Sequence, residues 1–221
     1  MARILIIDDH SIIRVGIAYL IHQDTPAAII DEARSGDAAV TLLKKNPYDL
    51  VILDVNIPGT DTIDLISYLL TASPHLNILI FTMNPEEWYG RRFLKMGVKG
   101  FLNKESPEEE IRKAIWTVLK GNRYISPELA QIISMDALEK RKENPFDELS
   151  NREFDVAMRL TRGDSVSLIA ESLNLHASTV GTHKAHIFEK LKVNNIIQLA
   201  DLARLYNNKQ TPEGSKANGS L

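Results

Sequence analysis

Leu50-Val-Ile-Leu53 is an unbroken apolar run with a β-branched pair at its centre, and Asp54 stops it. A run so short and so uniformly apolar suits a strand buried on both faces, the situation of a central strand in a parallel sheet. Asp54 then emerges at the C-terminal edge of that strand, and Pro58-Gly59 turns the chain away. Arg3–Ile7 repeats the pattern and ends in Asp8-Asp9, and further apolar runs fall at Ala27–Ile30, Ile78–Thr82 and Gly100–Lys104. Stretches of helical spacing separate them. Ser11–His22 carries Ile13, Ile17, Leu20 and Ile21 on one face, Ser35–Lys45 is closed by Asn46-Pro47, and Asp64–Leu70 is stopped by Pro74. Glu86–Met96 ends at Gly97, and Ser106-Pro107 with Glu109 reads as the cap, first-turn proline and acid of a helix to Leu119. Five strand–helix alternations predict an α/β fold, a doubly wound five-stranded parallel sheet over residues 1–121.

From Gly121 the pattern changes. Ser126-Pro127 opens a helical stretch to about Leu138, and the charged, turn-forming Glu139–Pro145 follows, so residues 122–146 read as a linker containing a helix. Beyond it no strand pattern occurs. Asn151–Leu160, Val166–Leu173, Ser178–Leu191 and Ile196–Tyr206 predict a small all-α domain of four helices over residues 147–206. Residues 207–221 are almost free of apolar side chains and are expected to be disordered. The chain has no cysteine, which excludes disulfides, thiolate metal sites and cysteine nucleophiles. No apolar stretch approaches the ~20 residues that cross a bilayer, and the N-terminus lacks the apolar core of a signal peptide. The expectation is a cytoplasmic protein without a membrane partner. With a net charge of −3, any affinity for nucleic acid must be local.

A right-handed doubly wound sheet gathers its strand C-termini on one edge, which here collects Asp8-Asp9, Asp54, Thr82 and Lys104. Carboxylates crowded together repel one another unless a cation joins them, and a hard divalent ion such as Mg²⁺ meets that need. Lys104 adds a positive charge and Thr82 a hydroxyl, so the edge could bind the oxygens of a phosphoryl group carried on Asp54. With Pro58-Gly59, Gly97 and Gly100-Phe101 in their places, residues 2–121 resemble the receiver domain of two-component response regulators. The resemblance implies that Asp54 accepts phosphate from a partner sensor histidine kinase. It also implies that Asp9, Asp54 and the Asn56 carbonyl bind Mg²⁺ with Asp8 assisting, and that Lys104 pairs with Asp54. Thr82 would move to bond the phosphoryl group, with Phe101 swinging inward beside it as the second switch residue. A haloacid-dehalogenase-type phosphatase also uses a strand-end Asp and Mg²⁺, but it needs a general acid two residues on, and Asn56 cannot shuttle a proton.

Leu149-Ser-Asn-Arg152-Glu153, Gly163, Ile169-Ala170, Leu173, Thr179-Val180, His183, Ile187, Lys190-Leu191, Val193 and Leu199 resemble the helix-turn-helix domain of LuxR/NarL-type regulators. Small Ala170 permits a close helix crossing over the Asn174–Ala177 turn, and Ser178-Thr179 reads as the cap of the second helix. By that resemblance the helix enters the major groove of double-stranded DNA, with Ser178, Thr179, Thr182, His183, Lys184, His186, Lys190 and Lys192 facing it. Members of the family often carry Lys after the Thr-Val pair and another basic residue further on; here these are Gly181 and Ala185. Over residues 145–206 seven Lys/Arg stand against eight Asp/Glu, so the module is nearly neutral. The expected whole is a phosphorylation-controlled regulator of the NarL/FixJ type that dimerises to bind DNA. Its only chemistry would be its own phosphotransfer and dephosphorylation. The alternative is a receiver-gated protein-contact module whose DNA-binding surface has decayed.

Overall fold

In the computed structural model, which describes residues 1–138 and 144–208, the N-terminal half is a five-stranded all-parallel sheet in the order β2-β1-β3-β4-β5. The strands are β1 (Arg3–Ile7), β2 (Ile29–Ala33), β3 (Leu50–Leu53), β4 (Asn77–Thr82) and β5 (Gly100–Asn103). Five helices alternate with them: α1 (Ser11–Asp24), α2 (Gly36–Leu43), α3 (Thr62–Ala72), α4 (Glu86–Met96) and α5 (Glu108–Leu119). Every residue of β3 is buried, as its unbroken apolar run requires, because helices cover both faces of the sheet. Two apolar clusters result. Leu5, Val51, Ile78 and Phe101 face one layer of helices, while Ile4, Ile52, Leu79 and Leu102 face the other.

Three local expectations are corrected. The second strand is Ile29–Ala33 rather than Ala27–Ile30, because Asp31 and Glu32 lie on an edge strand where polar side chains find partners. Asp31 takes hydrogen bonds from Arg3 and from the Tyr48 hydroxyl, which apolar patterning cannot register. Lys104 lies just past β5, which ends at Asn103. Ser106 caps nothing: Pro107 occupies the N-cap position of α5 without a side-chain bond, and three acids fill the first turn instead.

Tyr124 adds a single parallel bridge to Gly100 beyond β5, and α6 (Pro127–Leu138) then packs on α4. The fit is close, since a Cβ on Gly90 would lie 2.8 Å from a methyl carbon of Leu129. The helix opens at Ser126-Pro127, where the Ser126 hydroxyl accepts from the Leu129 amide. The charged part of the linker, residues 139–143, lies outside the described residues.

A 3₁₀ turn (Pro145–Glu148) leads into α7 (Asn151–Arg162), α8 (Val166–Ser172), α9 (Ala177–Leu191) and α10 (Ile196–Asn208). Helix α7 opens with a reciprocal capping box between Ser150 and Glu153 and closes on Gly163 in the left-handed region. Ile169, Ala170, Val180, Ile187 and Leu199 are buried between these helices. Helix α10 includes Asn207 and Asn208, which were expected to begin the disordered tail, and the rest of that tail lies outside the described residues. Among the described residues no helix is long and apolar enough to cross a membrane.

The two halves do not stand apart. One apolar cluster runs from Leu5 and Val51 through Tyr89, Phe93 and Leu129 to Phe146, Phe154 and Ile169. Helix α7 and the 3₁₀ turn sit against α4, so the sheet edge and the C-terminal domain share a boundary.

A candidate phosphorylation site beneath a docked effector domain

Three backbone hydrogen bonds carry the sheet ladder one residue past its strands. Asp8 donates to the Ala33 carbonyl at 3.1 Å, Asp54 to Ile7 at 2.9 Å and Lys104 to Thr82 at 2.9 Å. Those bonds fix the strand-end side chains. Because β1 and β3 are neighbours, Asp8 and Asp9 fall beside Asp54 at the point where the strand order reverses. Ligand atoms of Asp8, Asp9, His10 and Asp54 all lie within 4.8 Å of one another, the only such acidic cluster among the described residues.

Lys104 crosses the cluster, its Nζ 2.6 Å from Asp8 and 2.7 Å from Asp54. Burial alone would lower the pKa of this ammonium, but hydrogen bonds and charge from Asp54 and Asp8 outweigh it and hold it above its ordinary value. The ammonium neutralises part of the carboxylate charge. The remainder is an all-oxygen set of carboxylates suited to a hard divalent ion, so the residues fit Mg²⁺. Asp8 and Asp54 are nearly fully buried, whereas Asp9 and His10 stand at the mouth. The His10 Nδ1 atom is 3.1 Å from Asp8 and 3.0 Å from Asp9, a neighbour that sequence reasoning did not single out.

On the other side of Asp54, the Asn56 amide nitrogen donates to the Asp54 Oδ1 atom at 3.2 Å. The Asn56 side chain reaches Thr82 Oγ1 at 3.4 Å and the Asn84 side-chain oxygen at 3.1 Å. Thr82 is fully buried and also receives the Asn84 backbone N–H at 3.4 Å. Phe101 is already fully buried and stacked on Phe93 with ring centroids 6.1 Å apart, so the inward position expected of a switched state is occupied here.

Sequence reasoning missed what lies above this edge. Arg159 donates to the Asn56 side-chain oxygen at 3.4 Å and Arg162 to the Asn84 side-chain oxygen at 3.1 Å, both from α7. Arg152 of the same helix pairs with Asp61, the N-cap of α3. From α4, Arg92 donates to the carbonyls of Phe146 at 2.6 Å and Leu149 at 2.8 Å, and stacks its guanidinium on Phe154. Burial lowers the pKa of Arg92, though not enough to threaten its charge. Trp88 and Tyr89 meet Phe146 and Phe154 edge-on or tilted.

Helix α9 departs from its expected cap. His176 occupies the N-cap position without a side-chain bond, and Ser178 and Thr179 lie inside the helix, where the Thr182 hydroxyl donates to the Ser178 carbonyl. The outward face carries Ser178, Gly181, Thr182, Ala185 and His186, all exposed while the domain is docked. Lys192 caps the helix in the left-handed region and is exposed. Lys190 is engaged internally, 2.7 Å from Glu153, the buried acid of the α7 capping box. Lys184 lies over the Phe188 ring, and burial leads the causes that lower the pKa of His183 and favour its neutral form.

Comparison with known families gives two matches. Residues 4–116 match the model of the response regulator receiver domain, and residues 147–203 match that of the bacterial regulatory proteins of the luxR family. The response regulator GacA of Pseudomonas aeruginosa is 31% identical over 204 residues, covering 92% of this chain and 95% of that protein. The response regulator UvrY of Escherichia coli is 30% identical over 92% of this chain and 94% of its own. Among solved structures, RcsB of Salmonella enterica serovar Typhimurium, bound to promoter rprA in the presence of phosphomimetic BeF3-, is 26% identical. Its TM-score is 0.67, with 92% of this chain and 99% of that chain covered.

Proposed function

The chain belongs to the two-component response regulators that join a receiver to a LuxR-type DNA-binding domain, and is thus a regulator of transcription; from that premise we propose that it is switched by phosphorylation of Asp54. The observation that carries this reading is the placement of Asp54. One carboxylate oxygen is held on Lys104 and the other faces the Asn56 amide, at an edge crowded with acids. A free Asp54 oxygen lone pair would attack the phosphorus of a phosphohistidine on a sensor kinase. The new P–O bond forms as the bond to the histidine nitrogen breaks, and the nitrogen keeps that electron pair. Lys104 stays to neutralise charge on the acyl phosphate. Mg²⁺, held by Asp8, Asp9, Asp54 and the Asn56 carbonyl, would supply the charge that the crowded oxygens need. The same edge would later admit water and return Asp54 to its free form.

The output is double-stranded DNA. The exposed α9 face, with Ser178, Thr182 and His186, is the surface proposed to read it, with Lys184 and Lys192 near the phosphates. The module has few cations to spend, so two modules on paired half-sites are needed, and homodimerisation on phosphorylation would supply them. Intact-mass measurement after incubation with a small phosphodonor and Mg²⁺ tests the first step. A gain of one phosphoryl group is expected, and its persistence in Asp54→Asn would overturn the assignment.

A further inference from the structure

The amides of Asn56 and Asn84 form a short relay between the two domains. Arg162 donates to the Asn84 side-chain oxygen at 3.1 Å, the same oxygen that takes the Asn56 side-chain N–H at 3.1 Å. Asn56 donates onward to Thr82 at 3.4 Å, and Arg159 holds its side-chain oxygen at 3.4 Å. With two donors on one oxygen, the Asn84 amide is turned so that its NH₂ group, buried, has no acceptor. An unpaired buried donor is costly and survives only where its surroundings hold it. The arginines are what hold it here. They are side chains of the DNA-binding domain, yet what they fix is a pair of side-chain amides, of which Asn56 reaches the Thr82 hydroxyl while Asn84 adds its backbone N–H.

We propose that Arg159 and Arg162 are positioning residues of the receiver's phosphorylation site, acting through Asn56 and Asn84 to keep the Thr82 hydroxyl engaged by these two residues. This rests on the reading of Asp54 as the phosphoacceptor. Both bonds to the Thr82 hydroxyl, from the Asn56 side chain and from the Asn84 backbone N–H, are long and weak at 3.4 Å, as is the Arg159 bond to Asn56, so these are the ones surrendered when Thr82 turns to a phosphoryl oxygen. Binding free energies are reciprocal: if a phosphoryl group on Asp54 loosens the effector domain, the docked effector domain weakens phosphoryl binding by the same factor. The effector domain therefore tunes the receiver's chemistry and does not only obey it. Arg152 provides the comparison. It grips the same face through Asp61, at the start of α3, without touching Asn56, Asn84 or Thr82.

The test is titration of full-length protein with beryllofluoride and Mg²⁺, read by calorimetry, for Arg162→Ala and Arg152→Ala, each with and without Asn84→Ala. Arg162 lies on the exposed side of α7, so its truncation leaves the helical core intact. Arg162→Ala is expected to tighten beryllofluoride binding about fivefold when Asn84 is present and hardly at all when it is absent. Arg152→Ala should tighten binding equally in both backgrounds, because it acts by docking alone. An Arg162→Ala effect of the same size with and without Asn84 would overturn the relay. Wild-type protein that binds no beryllofluoride would overturn the phosphoacceptor reading beneath it.

Discussion

Trp88 and Phe146 meet edge to face, their ring centroids 5.4 Å apart, across the boundary between receiver and effector domain. Truncating a buried Phe costs roughly 3–5 kcal/mol, and here much of that cost falls on docking. Phe146→Ala should therefore release the effector domain without melting the receiver. Trp88 should then shift its emission to the red, while Trp116, bonded to Asp24 on the far side, stays constant. Unchanged emission in both that variant and the phosphorylated wild type would mean that the contact does not open.

The acidic cluster makes a second prediction. Asp9 stands at the mouth of the cluster and Lys104 bridges only Asp8 and Asp54, so Asp9 has the freest carboxylate for an incoming cation. Asp9→Ala should abolish Mg²⁺ binding measured by titration while leaving the thermal stability nearly unchanged. Retained binding would remove Asp9 from the ligand set.

Thr82→Ala isolates switching from chemistry. Thr82 bonds neighbouring amides rather than Asp54, so Asp54 should still be phosphorylated within a few-fold of the wild-type rate. The change in association state on phosphorylation should be lost. Equal dimerisation of the phosphorylated variant, seen by light scattering, would contradict the switch.

Glu86 makes α4 sensitive to pH. Burial pushes its carboxyl up to about 7, against a hydrogen bond donated by the Ser126 hydroxyl at the start of α6. Glu128 and Glu87 add repulsion. The native state thus favours the protonated form. Its contribution to stability is complete below the ordinary carboxylate pKa, is lost as pH rises towards 7, and changes no further above that. Glu86→Gln should flatten this part of the curve of thermal midpoint against pH. A variant curve parallel to wild type between pH 4.5 and 7 would refute the assignment.

At Gly181 a Cβ would meet nothing within 4 Å, so a longer side chain has open space. Gly181→Lys should stabilise α9 by about 1 kcal/mol and strengthen DNA binding across sequences, steepening the salt slope by ~1. Wild-type fragment 145–206 that binds tightly, with a steep salt dependence, would show that the helix never lacked cations.

How much of this could be read in the chain depends on the range of each interaction. The strand-end residues Asp8, Asp54, Thr82 and Lys104 were legible because topology alone brings them to one edge. Ser178-Thr179 misled because His176 starts the helix with no side-chain bond, and hydroxyl residues inside a helix look like caps from sequence. The strand shift at Asp31 hid behind edge-strand polarity. Arg162 and Asn84 are 78 positions apart and meet only through docking of two separate domains, so no local pattern could announce their bond. Arg159 and Arg162, one helical turn apart, show a basic edge on α7 but nothing of what it touches.

The docked domain grips the receiver through α7 and leaves the outer face of α9 bare. Its consequence is kinetic. A gate that does not cover the reading helix cannot forbid encounter, so the unphosphorylated protein should collide with duplex DNA and slide along it as readily as the active form. What it lacks is a second module to hold it there. Control then falls on residence time, and stopped-flow mixing should find similar association rates in both states with dissociation slowed by phosphorylation. Silence, for such a molecule, is brief occupancy rather than absence from the genome.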